Sequence, residues 1–307
     1  MQDKIEILLA TYNGERYIEE QIESILNQDY KNWVVRVCDD ASTDHTFEIL
    51  KQYYEKYPDK FLIEKKEKGS GTAKTNFFYL MKQSTCDYVM CCDQDDVWLP
   101  NKISLTMQEM KRIEKKEVPC LVHTDLKVVN DKLEVLGESF FVHSNLRKKF
   151  QYREVLIQNH VTGCTMMMNR ALIELLCEEM DYTHILMHDW LAAIVASAFG
   201  KVGFVDCPTM LYRQHAINSV GAKKYGVALL LSKLKDNSIR RSLEATAMQA
   251  GVISKVYKEN YDKETYKFTV EYSNIYRKWK GYRICFYIKQ KMWKKGLPRQ
   301  VWQLILG

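Results

Sequence analysis

An α/β fold, with a mainly parallel sheet flanked by helices and a helical extension at the C-terminal end, is the fold class this sequence predicts. Three observations predict it. Apolar, β-rich runs alternate with amphipathic helical patterns from Ile5 to Lys116, the pattern of an open sheet with helices on both faces. Polar clusters rich in Asp, Asn and Thr close three of those runs. Beyond about residue 223 nearly everything reads as helix, and the charge changes sign: residues 221–307 carry 19 Lys/Arg against 6 Asp/Glu, while residues 1–220 are net negative by 7.

The elements follow in order. "IEILLAT" (5–11) is a strand, "ERYIEEQIESILNQ" (15–28) an amphipathic helix, "WVVRVCDD" (33–40) a strand and "DHTFEILKQYYEKY" (44–57) a helix. "FLIEKK" follows, then a helix near 73–83, the strand "DYVMCC" and a helix from Pro100 to about Lys116. After "CLVHTDLKVV" (120–129) the alternation loosens into mixed elements. A boundary near 220, where "NSVGAKKYG" combines glycines with the change of charge, divides a 1–220 body from a basic helical 221–307 region.

With 307 residues and 46% hydrophobic content the chain can bury a real core. Its nine cysteines form no CxxC pair and sit mostly in apolar runs, the usage of a reducing compartment rather than of a zinc or disulfide framework. The opening "MQDKIEILLATYNG" is a strand pattern and not a signal peptide, and no apolar run approaches the ~20 residues that span a bilayer. The expected location is the cytoplasm.

"TYNG" (11–14), "DDASTD" (39–44) and "DQDD" (93–96) each end a predicted strand. Ligands of open parallel sheets bind outside the carboxyl ends of the strands, so three polar motifs converge on one site. Asp93, Asp95 and Asp96 fall within four positions there. Two unit charges ~4 Å apart repel by about 1–4 kcal/mol at effective dielectrics of 80 to 20, and the following helix offers a carboxylate only about 0.3–1 kcal/mol. A divalent cation can hold such a cluster, and Asp93 with Asp95 in a D-x-D suits Mg²⁺ or Mn²⁺. A solvated turn that caps the next helix is the plainer account of the same residues. A calcium loop is excluded, because Trp98 and Ser104 stand where its Gly and Glu belong.

"GSGTAKTN" (69–76) is not a phosphate loop, which would need glycines where Lys68 and Ala73 stand. It reads as a turn into a helix presenting Lys74 and Asn76. "DDASTDHT" is an Asx-turn feeding a helix, or a strand end whose Asp39 or Asp40 accepts a base N–H. "HDWLAAIVASAFG" (188–200) is a helix with Asp189 at its expected N-cap, and capping suffices to explain that aspartate.

Taken in order, "LLATYNGERYIEEQIESILNQDYKNWVVRVCDDASTDHT", "DQDDVWLPNK", "VTGCTMMMNRAL", "HDWLAAIVASAFG" and "YRQHAINSVG" resemble glycosyltransferase family 2, especially its bacterial rhamnosyltransferase-like branch, over about residues 5–221. The resemblance implies a GT-A fold. It places Thr11, Asn13 and Glu15 in a nucleotide pocket, Asp40 against the pyrimidine, and Lys74 and Asn76 along the donor. It makes Asp93 and Asp95 the metal-binding D-x-D, with Asp95 the more direct contact, Asp189 the general base and His215 a third metal or phosphate contact. The QxxRW signature of processive synthases is missing, which implies single addition. The implied reaction is inverting, metal-assisted transfer of a sugar, L-rhamnose from dTDP-rhamnose, to a hydroxyl of a lipid-linked cell-surface polysaccharide intermediate. Alternatives are a UDP-hexose donor with the same chemistry and a non-catalytic nucleotide-sugar-binding module. A nucleic-acid-binding tail would leave the acidic body without a role, so no nucleic-acid partner is expected.

Residues 272–307 place Tyr272, Ile275, Tyr276, Trp279, Tyr282, Phe286 and Trp293 at spacings of three and four with basic residues between them. A helix lying on an anionic membrane fits this pattern. So does a helical hairpin packed on the body.

Overall fold

The computed structural model describes residues 3–115, 117–214 and 238–306. Strands β1 (Ile5–Thr11), β2 (Trp33–Asp39), β3 (Phe61–Lys65) and β4 (Tyr88–Cys92) alternate with helices α1 (Ile18–Leu26), α2 (Thr46–Lys56) and α3 (Ala73–Gln83). β1 pairs in parallel with β2 and β4, and β2 with β3. Apolar residues on both faces of β1 make this possible: Ile5, Ile7 and Leu9 enter one core layer with α1 and α4 (Lys102–Ile113), while Leu8 enters the other with α3. β1 is thus buried on both faces, as a central parallel strand must be.

The chain continues through β5 (Val97–Trp98), α4, β6 (Cys120–Val129), β7 (Val135–Gly137), α5 (Phe140–Ser144) and α6 (Tyr152–Ile157). It then forms β8 (Met167–Asn169), α7 (Arg170–Leu176), α8 (His188–Phe199) and β9 (Lys201–Arg213). The sheet order is β3-β2-β1-β4-β8-β6-β9-β5, with β7 beside β6. β8 runs antiparallel to both β4 and β6, and β5 runs antiparallel to β9. The sheet is therefore mixed beyond its parallel first four strands. Strands of two and three residues are too short to show a period, which is why the sequence pattern loosened there.

The residues after 237 form α9 (Ser238–Val256), α10 (Lys263–Ser273), α11 (Lys280–Lys289) and α12 (Leu297–Leu306). Leu243, Ala250, Tyr272, Ile275 and Phe286 share one core with Val155–Ile157 of α6 and Leu191–Ala196 of α8. The tail is thus not one membrane-facing helix from Tyr272 to Trp293: it breaks after Ser273, and Tyr272, Ile275 and Phe286 face the body. Polar ends are satisfied there too, with the Tyr272 hydroxyl 2.7 Å from Thr246 Oγ1. The expected boundary near 220 falls outside the described residues. Among the described residues no helix is long and apolar enough to cross a membrane.

Candidate active site

Parallel register brings the three strand ends together. Thr11 stands opposite Asp39, and Leu9 opposite Cys92, so the turn that begins at Asp93 lies beside the end of β1. A cleft of about 1360 Å³ opens there, lined by Thr11, Asn13, Asp40, Asn76, Asp93, Asp95, His188 and Asp189 among others. Residues expected from five separate motifs thus meet in one cavity.

The wall built from the ends of β1 and β2 is tightly bonded. Thr11 Oγ1 donates to Asp39 Oδ1 at 3.0 Å, and the Ser42 backbone N–H donates to Asp39 Oδ2 at 2.9 Å, so Asp39 braces the turn from within. Asn13 (φ 47°) and Ala41 (φ 65°) hold left-handed backbone at these turns, strain of the kind that collects at functional sites. Asn13 Oδ1 accepts the Thr43 N–H at 2.9 Å. Asp40 accepts Lys66 Nζ at 3.1 Å, the Ser70 N–H at 2.8 Å and Ser70 Oγ at 2.9 Å. Burial alone would raise its carboxyl, but the Ser70 and Lys66 donors outweigh burial and hold it below the usual range. Lys66 also reaches Asn76 Oδ1 at 2.9 Å, and Asn76 Nδ2 donates to the Cys38 carbonyl at 2.8 Å.

Two expected donor residues sit elsewhere. Lys74 donates to the carbonyls of Tyr182 and Ile185 at 2.9 and 2.6 Å, away from the lining of the cleft. Its ammonium ties the 182–185 segment to α3, where the sequence placed it along the donor. Glu15 is likewise absent from the lining: its Oε2 accepts the His45 N–H at 2.9 Å and ties the two turns together. His215 lies outside the described residues.

The acidic turn divides its three carboxylates. Asp93 and Asp95 line the cleft, while Asp96 is fully buried beneath them. Asp93, Asp96 and Cys164 each offer a donor atom, all within 4.8 Å of one another. Burial, with Asp95 and Asp189 nearby, pushes the Asp93 carboxyl up to about 7. Burial, then Asp95 and Asp93, push Asp96 well above the usual carboxylate range. Asp96 Oδ2 is buried without a hydrogen-bond partner among the described residues. A cavity whose carboxylates resist ionising and leave a buried oxygen unmet fits a divalent cation.

Arg213 holds this turn. Its side chain, 2% exposed, donates to the carbonyls of Asp95 and Asp131 at 2.9 and 2.7 Å and to the Glu20 carboxylate, and its backbone N–H donates to Asp96 Oδ1 at 3.1 Å. Lys102, buried below, has its ammonium brought down to about 8 by burial despite Cys164, Cys92 and Asp96. Asp96, Cys164, Arg213 and Lys66 had no assigned role from sequence. The first three lie inside the motifs quoted above, so the signal was present but carried no direction.

Asp189 is not the N-cap of its helix. Met187 occupies that position, and the Asp189 carboxylate, besides the Trp190 N–H of its own turn, accepts Asn159 Nδ2 at 3.0 Å and the Gly163 N–H at 3.0 Å. Gly163 is required by close approach, since a Cβ there would stand 2.6 Å from His188 Nε2. Burial pushes the Asp189 carboxyl up to about 7, with its hydrogen-bond donors opposing. His188 stacks on Phe77 with ring centroids 4.2 Å apart, and burial lowers it to about 3. So weak a base is poorly matched to proton abstraction near neutrality. Ser238, Ser242, Arg299 and Trp302 from the C-terminal helices, and Lys294 from the connection before α12, also line the cleft.

The sequence matches the family described as "Glycosyl transferase family 2" over residues 6–176. It is 31% identical over 226 residues to "dTDP-rhamnosyl transferase RfbG" of Shigella flexneri, covering 70% of this chain and 74% of that one. The fold is similar to that of S. aureus TarS 1–349 in complex with UDP-GlcNAc (TM-score 0.60, 17% identity, 88% of this chain and 71% of that one). It is also similar to the mannosyltransferase PcManGT of Pyrobaculum calidifontis in complex with GDP-Man and Mn²⁺ (TM-score 0.55, 16% identity, 98% of this chain and 78% of that one).

Proposed function

This chain belongs to glycosyl transferase family 2, and on that premise we propose that it transfers L-rhamnose from dTDP-rhamnose, with inversion, to a hydroxyl of a lipid-linked cell-surface polysaccharide intermediate. One observation carries the reading. A buried carboxyl poised at about 7, Asp189, shares a cleft with the Asp93 and Asp95 pair and is aimed by donors from outside its own helix.

Asp189 takes the proton of the acceptor hydroxyl as that oxygen bonds to the anomeric carbon. The bond from that carbon to the diphosphate oxygen breaks on the opposite side, which inverts the centre. Thr11, Asn13, Asp40 and Asn76 bind the nucleotide, with Asp40 toward the pyrimidine. Asp93, Asp95 and Asp96 would hold a Mg²⁺ or Mn²⁺ ion, which offsets the charge on the departing diphosphate. Ser238, Ser242, Lys294, Arg299 and Trp302 wall the acceptor end, so the described residues from 238 onward contribute to the site. The rhamnosyl donor rests on the similarity to the Shigella flexneri protein.

Purified protein offered dTDP-rhamnose, UDP-glucose, UDP-GlcNAc and GDP-mannose with Mg²⁺ or Mn²⁺ tests this, read by thermal shift and by slow release of the nucleoside diphosphate. Stabilisation and turnover with dTDP-rhamnose are expected. A UDP-sugar preference would replace the donor and leave the chemistry standing. Binding without any hydrolysis or transfer would make the chain a sugar-nucleotide-binding module.

A further inference from the structure

Helix α12 is built the wrong way round for a helix on a soluble surface. Leu297, Val301 and Ile305, at i, i+4 and i+8, form one stripe, and they are 76%, 49% and 45% exposed. The opposite face carries the polar residues inward. Gln303 is fully buried, accepting the Lys294 N–H at 3.1 Å and donating to the Met292 carbonyl at 2.7 Å. Arg299 donates to the Ser144 and Asn145 carbonyls at 2.9 Å each. These bonds fix the rotation of the helix, so the apolar stripe cannot turn inward without stripping buried polar groups of their partners.

What covers the stripe is indicated by charge. From Tyr272 to Gly307 the chain contains nine Lys/Arg and no acid. Lys289 and Lys291 are exposed beside Ile288, itself 56% exposed. A second copy of the chain would bring the same excess of cations, so a like-with-like contact through this region gathers positive charge without acids to offset it. An anionic lipid surface meets both features together, accepting the apolar stripe at the acyl boundary and the cations at the headgroups.

We infer that α12 docks the protein in the plane of an anionic bilayer through Leu297, Val301 and Ile305, with Lys289 and Lys291 supplying the electrostatic part. The docking elements differ from those the tail's aromatic spacing predicts, since Tyr272, Ile275 and Phe286 are in the core. The inner side of the same helix places Arg299 and Trp302 in the cleft wall, so docking brings the rim of the cleft to the lipid surface. The inference is independent of the donor sugar, and it agrees with a lipid-linked acceptor.

Co-sedimentation of the full chain with phosphatidylcholine vesicles, with and without phosphatidylglycerol, tests it. Wild type is expected to bind only the phosphatidylglycerol vesicles, and to leave them at high salt. The triple variant Leu297→Gln, Val301→Gln, Ile305→Gln is expected to lose about tenfold or more in partition, and Lys289→Gln with Lys291→Gln to lose a smaller factor. All five positions are on the surface, so melting temperature and dTDP affinity should match wild type and separate this result from any failure of the proposed reaction. Equal sedimentation of wild type and the triple variant overturns the inference. So does a lipid-independent dimer that the triple variant abolishes.

Discussion

Replacing Asp189 by Asn separates catalysis from architecture, and the structure sets both magnitudes. A carboxyl at about 7 instead of the ordinary 3.8 costs roughly 4 kcal/mol more to ionise in the fold than in the unfolded chain. Below about pH 4 it is protonated in both states and contributes no difference. Between about pH 4 and 7 only the unfolded chain ionises, so the raised carboxyl makes stability fall as pH rises. Above about 7 the folded chain ionises too, and the whole cost is in place. Asn removes that cost and keeps an oxygen for the Gly163 N–H, but sets an amide against Asn159 Nδ2, losing one hydrogen bond of about 1 kcal/mol. The variant should therefore melt at or above wild type at pH 8, with the gap narrowing toward pH 5. Transfer should fall by about a hundredfold or more, the lower end of what a general base contributes, while dTDP affinity is unchanged. The wild-type rate should rise toward a plateau through pH 7, being about tenfold lower at pH 6, and the variant should lose that limb. Scanning calorimetry, titration with dTDP and a radiolabelled-sugar transfer assay measure these quantities. Near wild-type transfer by Asp189→Asn, or a fall in melting temperature of the size expected for a lost helix cap, would refute the reasoning.

Two more expectations concern the ligands. Asp96→Asn should weaken Mn²⁺ binding by about tenfold or more in titration calorimetry, as should Asp95→Asn; wild-type Mn²⁺ affinity in Asp96→Asn, or transfer that survives EDTA, would remove the cation from this turn. Asp40→Asn leaves the Lys66 ammonium without its carboxylate and should weaken dTDP binding by about tenfold, and an unchanged dissociation constant would exclude Asp40 from the pyrimidine contact.

How much of this was legible in advance depends on how far apart the interacting residues lie. Strand and helix positions were readable because their signal is periodic within a few residues: β1, β2 and β4 end where "TYNG", "DDASTD" and "DQDD" begin. Parallel pairing then forces those ends to one edge of the sheet, so the convergence of Thr11, Asp40 and Asp93 followed from the sequence by itself. The family resemblance was legible for the same reason, as a series of local motifs in order.

Orientation was decided only by tertiary structure. Asp189 reads locally as a cap, and what ties it to the body as well is a pair of donors 30 and 26 residues earlier. Lys74 sits beside a glycine turn in the sequence, yet its ammonium goes to carbonyls 108 and 111 residues away, because α3 packs beside the 182–185 segment. Three adjacent carboxylates look equivalent until the strand end buries Asp96 and leaves Asp93 and Asp95 at the cleft. The aromatic spacing of the tail marks an apolar face but not what that face meets: Tyr272, Ile275 and Phe286 met the core, while Trp279 stayed exposed. A sequence determines which residues share a face, because that depends on the period of the backbone. Which face is covered, and by what, depends on contacts between distant segments and is settled when the layers pack.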